Sequence, residues 1–312
     1  MIKNHKRYLL LLSAICVFSI SSAGCAAGET GKSTSSSEAE TTSLNSSSEG
    51  AFDTDLVDTE EAEKAGNKSK LTSGSYFNSI DGCAVILDAD GYAFYNEVDS
   101  GVQVSPCSTF KIVSTLMGLQ NQVITSEDST MGYDGTQYPM EAWNSDLSLS
   151  EAFQNSCVWY FRKVIDQVGE EETKAELEEL GYGNCDVSEW QGNLSNPIPE
   201  LNGFWLESSL KISPLEQVNL LQKIFEGKTR YSEKTVEVLK QVMLIETNEY
   251  GSFYGKTGTG IKHNAWFVGM LEREDSNLYF AVYIEDENVD EVNGSKAKEI
   301  AMNTVKDYCD TN

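Results

Sequence analysis

The chain has 312 residues, is 40% hydrophobic and carries a formal net charge of −26. That is enough apolar material for one large domain or two intimate subdomains, and the acidity argues against nucleic acid or an anionic lipid surface as a partner. Only two histidines are present, His5 and His263, and no Cys-x-x-Cys pair, so no metal site is expected and a Ser-His-Asp triad would have to use His263.

Residues 1–24 read as an export signal. Lys3, Lys6 and Arg7 form a positive start, and Leu9 to Ile20 is an apolar run too short for a comfortable membrane span. Ser22-Ala23-Gly24-Cys25 resembles the site at which exported bacterial proteins are cleaved and a lipid is attached to the cysteine, with Ser22 where leucine is usual. The membrane is therefore expected as a partner only through a lipid anchor at Cys25, on the extracytoplasmic face. Residues 25–70, rich in Ser, Thr, Glu and Ala, read as a flexible spacer that cannot bury enough surface to fold.

The folded body is expected over 71–312. Cys83–Leu87 and Tyr92–Tyr95 read as strands joined by a turn at Asp88-Ala89-Asp90-Gly91. Pro106 precedes a helix with apolar residues at 112, 113, 116, 117 and 119. Residues 125–147 are polar and turn-rich. Leu149–Val168 reads as one helix ended by Gly169, and Glu170–Leu180 as a charged helix stopped by Gly181. Ser213-Pro214-Leu215-Glu216 is a capping box opening a helix to about Phe225, and Ser232–Leu244 is another helix. Strands follow at Phe253–Thr257, Trp266–Leu271 and Leu278–Ile284, and Gly294 to about Tyr308 closes as a helix. Strands at both ends with helices between predict an α+β fold. The sheet subdomain would take about 71–112 and 245–312, and a helical subdomain about 113–244 would be inserted. The five cysteines after Cys25 cannot all pair with one another and read as small buried hydrophobes.

Chemistry concentrates at three places. Ser108 and Lys111 lie three residues apart in the first turn of the helix after Pro106, which sets a hydroxyl beside an amine. Serine needs a base to become a nucleophile, and lysine can serve once burial lowers its pKa; Phe110 and Ile112 point to burial. Ser-x-x-Lys alone occurs about once by chance in a chain of this length. Lys256-Thr257-Gly258 on a strand suits a small carboxylate, its glycine permitting close approach to the backbone. The N–H of Thr259 and that of Ser108 could together form an oxyanion hole. Ser156-Cys157-Val158 gains weight from its order between the other two. Two look-alikes are set aside: Asn144-Ser145-Asp146, and Pro199-Glu200-Leu201-Asn202, where Ile198 stands in place of a general-base glutamate.

Together these stretches resemble the class D (OXA-type) serine β-lactamases. The resemblance runs in the family's order through Ser108-Thr109-Phe110-Lys111, Ser156-Cys157-Val158-Trp159-Tyr160 and Tyr182-Gly183-Asn184. It continues through Phe204-Trp205-Leu206-Glu207 with Leu210-Lys211-Ile212-Ser213, then Lys256-Thr257-Gly258 and Trp266-Phe267-Val268-Gly269, covering about residues 75–310. It implies the penicillin-recognising serine transferase fold and hydrolysis of the β-lactam ring of penicillin-type antibiotics. Ser108 would be acylated. Lys111, carbamylated by carbon dioxide or bicarbonate, would be the general base, with Trp205 donating its indole N–H to the carbamate. Ser156 would relay a proton to the leaving nitrogen, Val158 would wall the lysine pocket, and Lys256 and Thr257 would hold the substrate carboxylate. No other cofactor is implied. The family's carboxylate-binding arginine has no counterpart here: Ala297 falls at about that place, between Lys296 and Lys298. Two alternatives share the motifs. A β-lactam sensor domain stays acylated and follows transmembrane helices, whereas a signal and spacer precede this domain. A cell-wall D,D-transpeptidase or carboxypeptidase lacks the Phe-Trp-Leu-Glu stretch.

Overall fold

The structure is a computed structural model that describes residues 68–312. The export signal, Cys25 and most of the spacer lie outside the described residues. Strand β1 (Lys68–Lys70) pairs in parallel at the edge of the sheet, so the sheet takes in residues just before Leu71.

Strands β2 (Asp81–Asp88) and β3 (Gly91–Tyr95) form the expected hairpin. Strands β4 (Leu244–Asn248), β5 (Gly251–Thr259), β6 (Asn264–Glu272) and β7 (Asn277–Glu285) form a meander at the other end of the chain. β7 pairs antiparallel with β2, which joins both ends into one sheet of order β1-β3-β2-β7-β6-β5-β4. The β1–β3 pair is its parallel exception. β4 had no signature in the sequence: its burial pattern is mostly exposed, as suits a sheet edge.

Successive strand residues point to opposite faces, and here both faces are buried. Val85, Val268 and Ala281 face one core, and Ile86, Phe267 and Phe280 the other. Seven α-helices of the described residues matter below: α1 (Lys111–Gln120), α2 (Leu149–Gln154), α3 (Val158–Val168), α4 (Glu170–Leu180), α5 (Pro214–Phe225), α6 (Glu233–Met243) and α7 (Gly294–Thr311). α7 covers the second face through Ile300, Ala301 and Val305. α5 packs on β7 and β2 over the first face, and the remaining helices extend that core. The Ser213–Glu216 capping box forms, satisfying donors at the start of α5. At the start of α4, by contrast, Gly169 provides no side-chain cap. Buried Glu176 of α4 ties it to the neighbouring elements through Asn121 Nδ2 (2.7 Å), Tyr231 Oη (2.7 Å) and Arg230 (3.0 Å).

Two local expectations are corrected. The residues before α1 are not its first α-turn: Cys107–Phe110 form a 3₁₀ turn and the α-helix starts at Lys111. Thr109 N–H donates to the Pro106 carbonyl, so one N–H that helix geometry would have left available is used. The expected helix 149–168 is two helices, broken at Ser156, whose φ is +55°. Apolar spacing continues across the break, so periodicity alone could not show it. The break is compensated by hydrogen bonds. Cys157 N–H donates to Ala152 O, Asn155 Nδ2 to Glu151 O, and Trp143 Nε1 to Asn155 O at 2.9 Å.

Candidate active site

The site lies where the 3₁₀ turn meets an open edge of β5. β4 pairs with β5 only as far as Tyr254, which leaves Gly255–Thr259 free on that side to face the turn. Gly258 makes the approach possible. A Cβ there would stand 3.2 Å from the Pro106 carbonyl oxygen and 3.4 Å from Thr109 Cγ2, tighter than a side chain accepts without the backbone giving way. Gly260 N–H donates to Asn264 O of β6. Peptide groups alternate sides along an antiparallel strand, so the N–H of Thr259 points to the open edge and toward the turn that carries Ser108.

Lys111 Nζ lies 2.9 Å from Ser108 Oγ. The lysine is fully buried, and its Nζ stands 5.5 Å from the centroid of Phe161. Burial pushes its pKa down to about 8, with Cys157 and Cys107 acting weakly the other way. A minor but usable share of the amine is therefore neutral near physiological pH, far more than for an ordinary lysine, and a neutral amine can accept the Ser108 proton or add carbon dioxide.

Trp205 is fully buried beside this turn. Its ring stacks on Phe110 at 5.3 Å and meets Phe204 edge-on at 5.0 Å. Its Nε1–H is buried and finds no acceptor in the protein. A buried donor left unpaired is costly, so this atom calls for an acceptor that the protein itself does not supply. A carbamate on Lys111 fits that requirement.

Ser156 stands, half-buried, at the break between α2 and α3. Val158 opens α3 and, with Cys107, Trp143, Leu206, Thr259 and Ile261, lines a largely apolar cavity of 280 Å³ beside the turn that carries Ser108. Lys256 is buried on the first face of the sheet, 5.6 Å from the Phe153 ring centroid, and donates to the Thr257 carbonyl at 3.0 Å. Burial holds its pKa well below the ordinary lysine range, and the charge of Lys111 adds to this. Thr257 lies next in the strand, half-buried on the side of α7, with its Oγ1 3.5 Å from Lys256 Nζ. The Oγ1 of Thr259 accepts from Gly294 N–H at the start of α7. That side chain is thus tied to α7, and the backbone N–H is the group Thr259 turns to the site.

Ala297 is fully buried, and Lys296 pairs along α7 with Glu299 at 3.1 Å. His263 is exposed in the β5–β6 turn, where its carbonyl accepts from Asp286 N–H. The look-alike at 144–146 is structural: Asn144 closes a loop onto Tyr138, and Asp146 accepts from Gly132 and Tyr133. All five cysteines of the described residues are free thiols; Cys83, Cys107 and Cys157 are buried, as expected, while Cys185 and Cys309 are partly exposed.

Ser105 was missed. Its Oγ donates to Trp205 O at 3.0 Å and accepts from Glu207 N–H at 2.8 Å, while its carbonyl accepts from Trp266 Nε1 at 2.9 Å. It joins the turn that carries Ser108 to the Trp205 loop and to β6. A lone serine carries no local signal for such a role. Arg162, buried between two tryptophans, was missed for the same reason.

Residues 66–306 match the family described as penicillin binding protein transpeptidase domain. The regulatory protein BlaR1 of Bacillus licheniformis is 38% identical over 215 residues, 68% of this chain and 34% of that protein. The chain thus spans about a third of the length of the BlaR1 proteins that it matches. The probable β-lactamase YbxI of Bacillus subtilis (strain 168) is 33% identical over 79% of this chain and 88% of its own. Among solved structures, a class D β-lactamase from Bacillus subtilis superposes with a TM-score of 0.69 at 32% identity, covering 77% of this chain and 96% of that one.

Proposed function

Since the chain belongs to the penicillin-binding protein transpeptidase domain family and shares the fold of class D β-lactamases, we propose that it hydrolyses penicillin-type β-lactams through an acyl-enzyme on Ser108. The observation that carries this reading is the buried Lys111 amine 2.9 Å from Ser108 Oγ, with the unpaired Trp205 Nε1–H in the same core.

Ser108 Oγ attacks the lactam carbonyl as Lys111 takes its proton. The developing oxyanion is met by the N–H groups of Ser108 and Thr259, whose strand edge is already oriented before substrate arrives. Ser156 passes a proton to the leaving ring nitrogen. Lys256 and Thr257 bind the substrate carboxylate, and the cavity walled by Val158 and Leu206 takes the apolar part of the molecule. Carbon dioxide on the neutral Lys111 amine would supply an anionic base, held by the Trp205 N–H, that activates water for deacylation. With Ala297 in place of the arginine, carboxylate recognition falls to Lys256, Thr257 and the nearby lysines of α7, none of which offers a bidentate fork.

A second reading is a sensor that stays acylated, favoured by the identity to BlaR1. One experiment separates them. Incubation with excess benzylpenicillin, followed by intact-mass and product assays, should show many turnovers per protein and a transient adduct absent in Ser108→Ala. A stoichiometric adduct that persists for hours without product would instead establish the sensor. A full-strength adduct on Ser108→Ala would show that another residue is acylated.

A further inference from the structure

Arg162 sits on α3 directly after Phe161, the ring against which Lys111 Nζ rests, and is 3% exposed. A guanidinium does not lose its proton in a protein, so a buried one must be paired. Its edge is: Nε donates to Asp166 Oδ2 at 3.0 Å, Nη2 to Asp166 Oδ1, and Nη1 to the Trp190 carbonyl at 2.7 Å. Its face serves another end. Cζ lies 4.9 Å from the ring centroid of Trp190 and 5.6 Å from that of Trp205. Phe110 stacks on Trp205, and Gly203 leaves no room beside the ring for a Cβ, which would come within 2.5 Å of Cζ3.

We propose that Arg162 is a positioning residue for Trp205, holding the indole so that its unpaired Nε1–H serves the group on Lys111. This rests on the carbamate reading above. Two physical effects operate. The planar cation limits tilting of the ring that it covers. It also draws π-electron density toward itself, which makes the indole N–H a stronger donor. Lysine would retain the charge but lose the plane and the fork to Asp166. The cluster is assembled from α3, the loop at Trp190 and the loop at Phe204-Trp205, so a change at Arg162 meets Trp205 directly and Lys111 through it.

The test is a titration with ¹³C-labelled bicarbonate of wild type, Arg162→Met, Arg162→Lys and Asp166→Asn, following the carbamate carbon by NMR, with thermal melts alongside. Arg162→Met should raise the half-saturating bicarbonate concentration about tenfold, and Arg162→Lys by less. Asp166 is half-exposed, so Asp166→Asn tests the idea even where Arg162→Met fails to fold; it should raise the midpoint about two- to threefold. Midpoints equal to wild type in the folded variants, whatever their melting temperatures, would reduce Arg162 to a structural clamp and overturn the proposal. Absence of any carbamate signal in wild type would instead remove the reading on which it rests, a distinct outcome.

Discussion

Lys111 Nζ reaches to 2.9 Å from Ser108 Oγ while its whole side chain is sealed from solvent. Its neighbours there are the Phe161 ring and the thiols of Cys157 and Cys107. An amine in that setting is held at a cost to the fold, and the cost is what makes it a base.

This predicts a trade between stability and activity at Lys111. Burial lowers its pKa from 10.5 to about 8. Below pH 8 the lysine is protonated in both folded and unfolded chains and the full penalty applies. Between about 8 and 10.5 the unfolded chain binds the proton that the folded one has released, so stability rises with pH. Lys111→Met removes the group. In carbon dioxide-free buffer at pH 7 it should gain on the order of 3 kcal/mol, given about 1.4 kcal/mol per pKa unit over the shift from 10.5 to about 8. The gain should shrink toward pH 10, and turnover should vanish. Urea unfolding of both proteins across pH 6–10 checks this; a variant no more stable than wild type at pH 7 would contradict the buried-base assignment.

Gly203 backs the ring of Trp205, and an added Cβ would lie 2.5 Å from Cζ3 and 2.6 Å from Cη2. Gly203→Ala should therefore displace the indole, destabilising the protein by about 1–3 kcal/mol through overpacking. It should also raise the bicarbonate concentration needed for the carbamate signal. An unshifted midpoint would show that Trp205 Nε1 does not hold the group.

Ser156 separates a backbone role from a side-chain role. At φ +55° any residue with a Cβ pays about 1 kcal/mol that glycine does not. Ser156→Gly should be about 1 kcal/mol more stable than Ser156→Ala. Both should acylate about 10²–10⁴-fold more slowly than wild type, because both lack the relaying hydroxyl. Stopped-flow acylation and thermal melts decide. Near-normal acylation in either variant would take the proton relay away from Ser156.

Export and anchoring rest on the stretch before the folded body. We propose attachment at Cys25, and Cys25→Ser should move the protein from the membrane fraction to the soluble one. Unchanged fractionation, or a mature amino terminus elsewhere, would defeat the anchor.

Features that depend on neighbours in the chain could be read from the sequence. Ser108 and Lys111 come together because a helical turn sets residues three apart side by side, whether the turn is 3₁₀ or α. The capping box at Ser213–Glu216 is a pair of hydrogen bonds within one turn. The hairpin at Asp88–Gly91, the helix stop at Gly181 and the three long strands near the carboxyl terminus likewise follow from local pattern. The resemblance of the Phe204-Trp205-Leu206-Glu207 stretch identified Trp205, but not its unpaired donor.

Tertiary structure decided the rest. The break at Ser156 runs against continuous helical spacing and persists because Trp143 Nε1 satisfies the Asn155 carbonyl and Asn155 Nδ2 adds a bond to the Glu151 carbonyl. The open edge of β5 exists because β4 stops pairing at Tyr254. Ser105 contacts Trp205 across 100 positions of chain and Trp266 across 161, and Arg162 meets Trp205 from another helix. The pKa of Lys111 depends on the same long-range closure. Desolvation is set by whichever segments exclude water from the amine, here α3 with its Phe161 ring among them. A sequence can place the amine beside the hydroxyl, but only the packed core makes it a base.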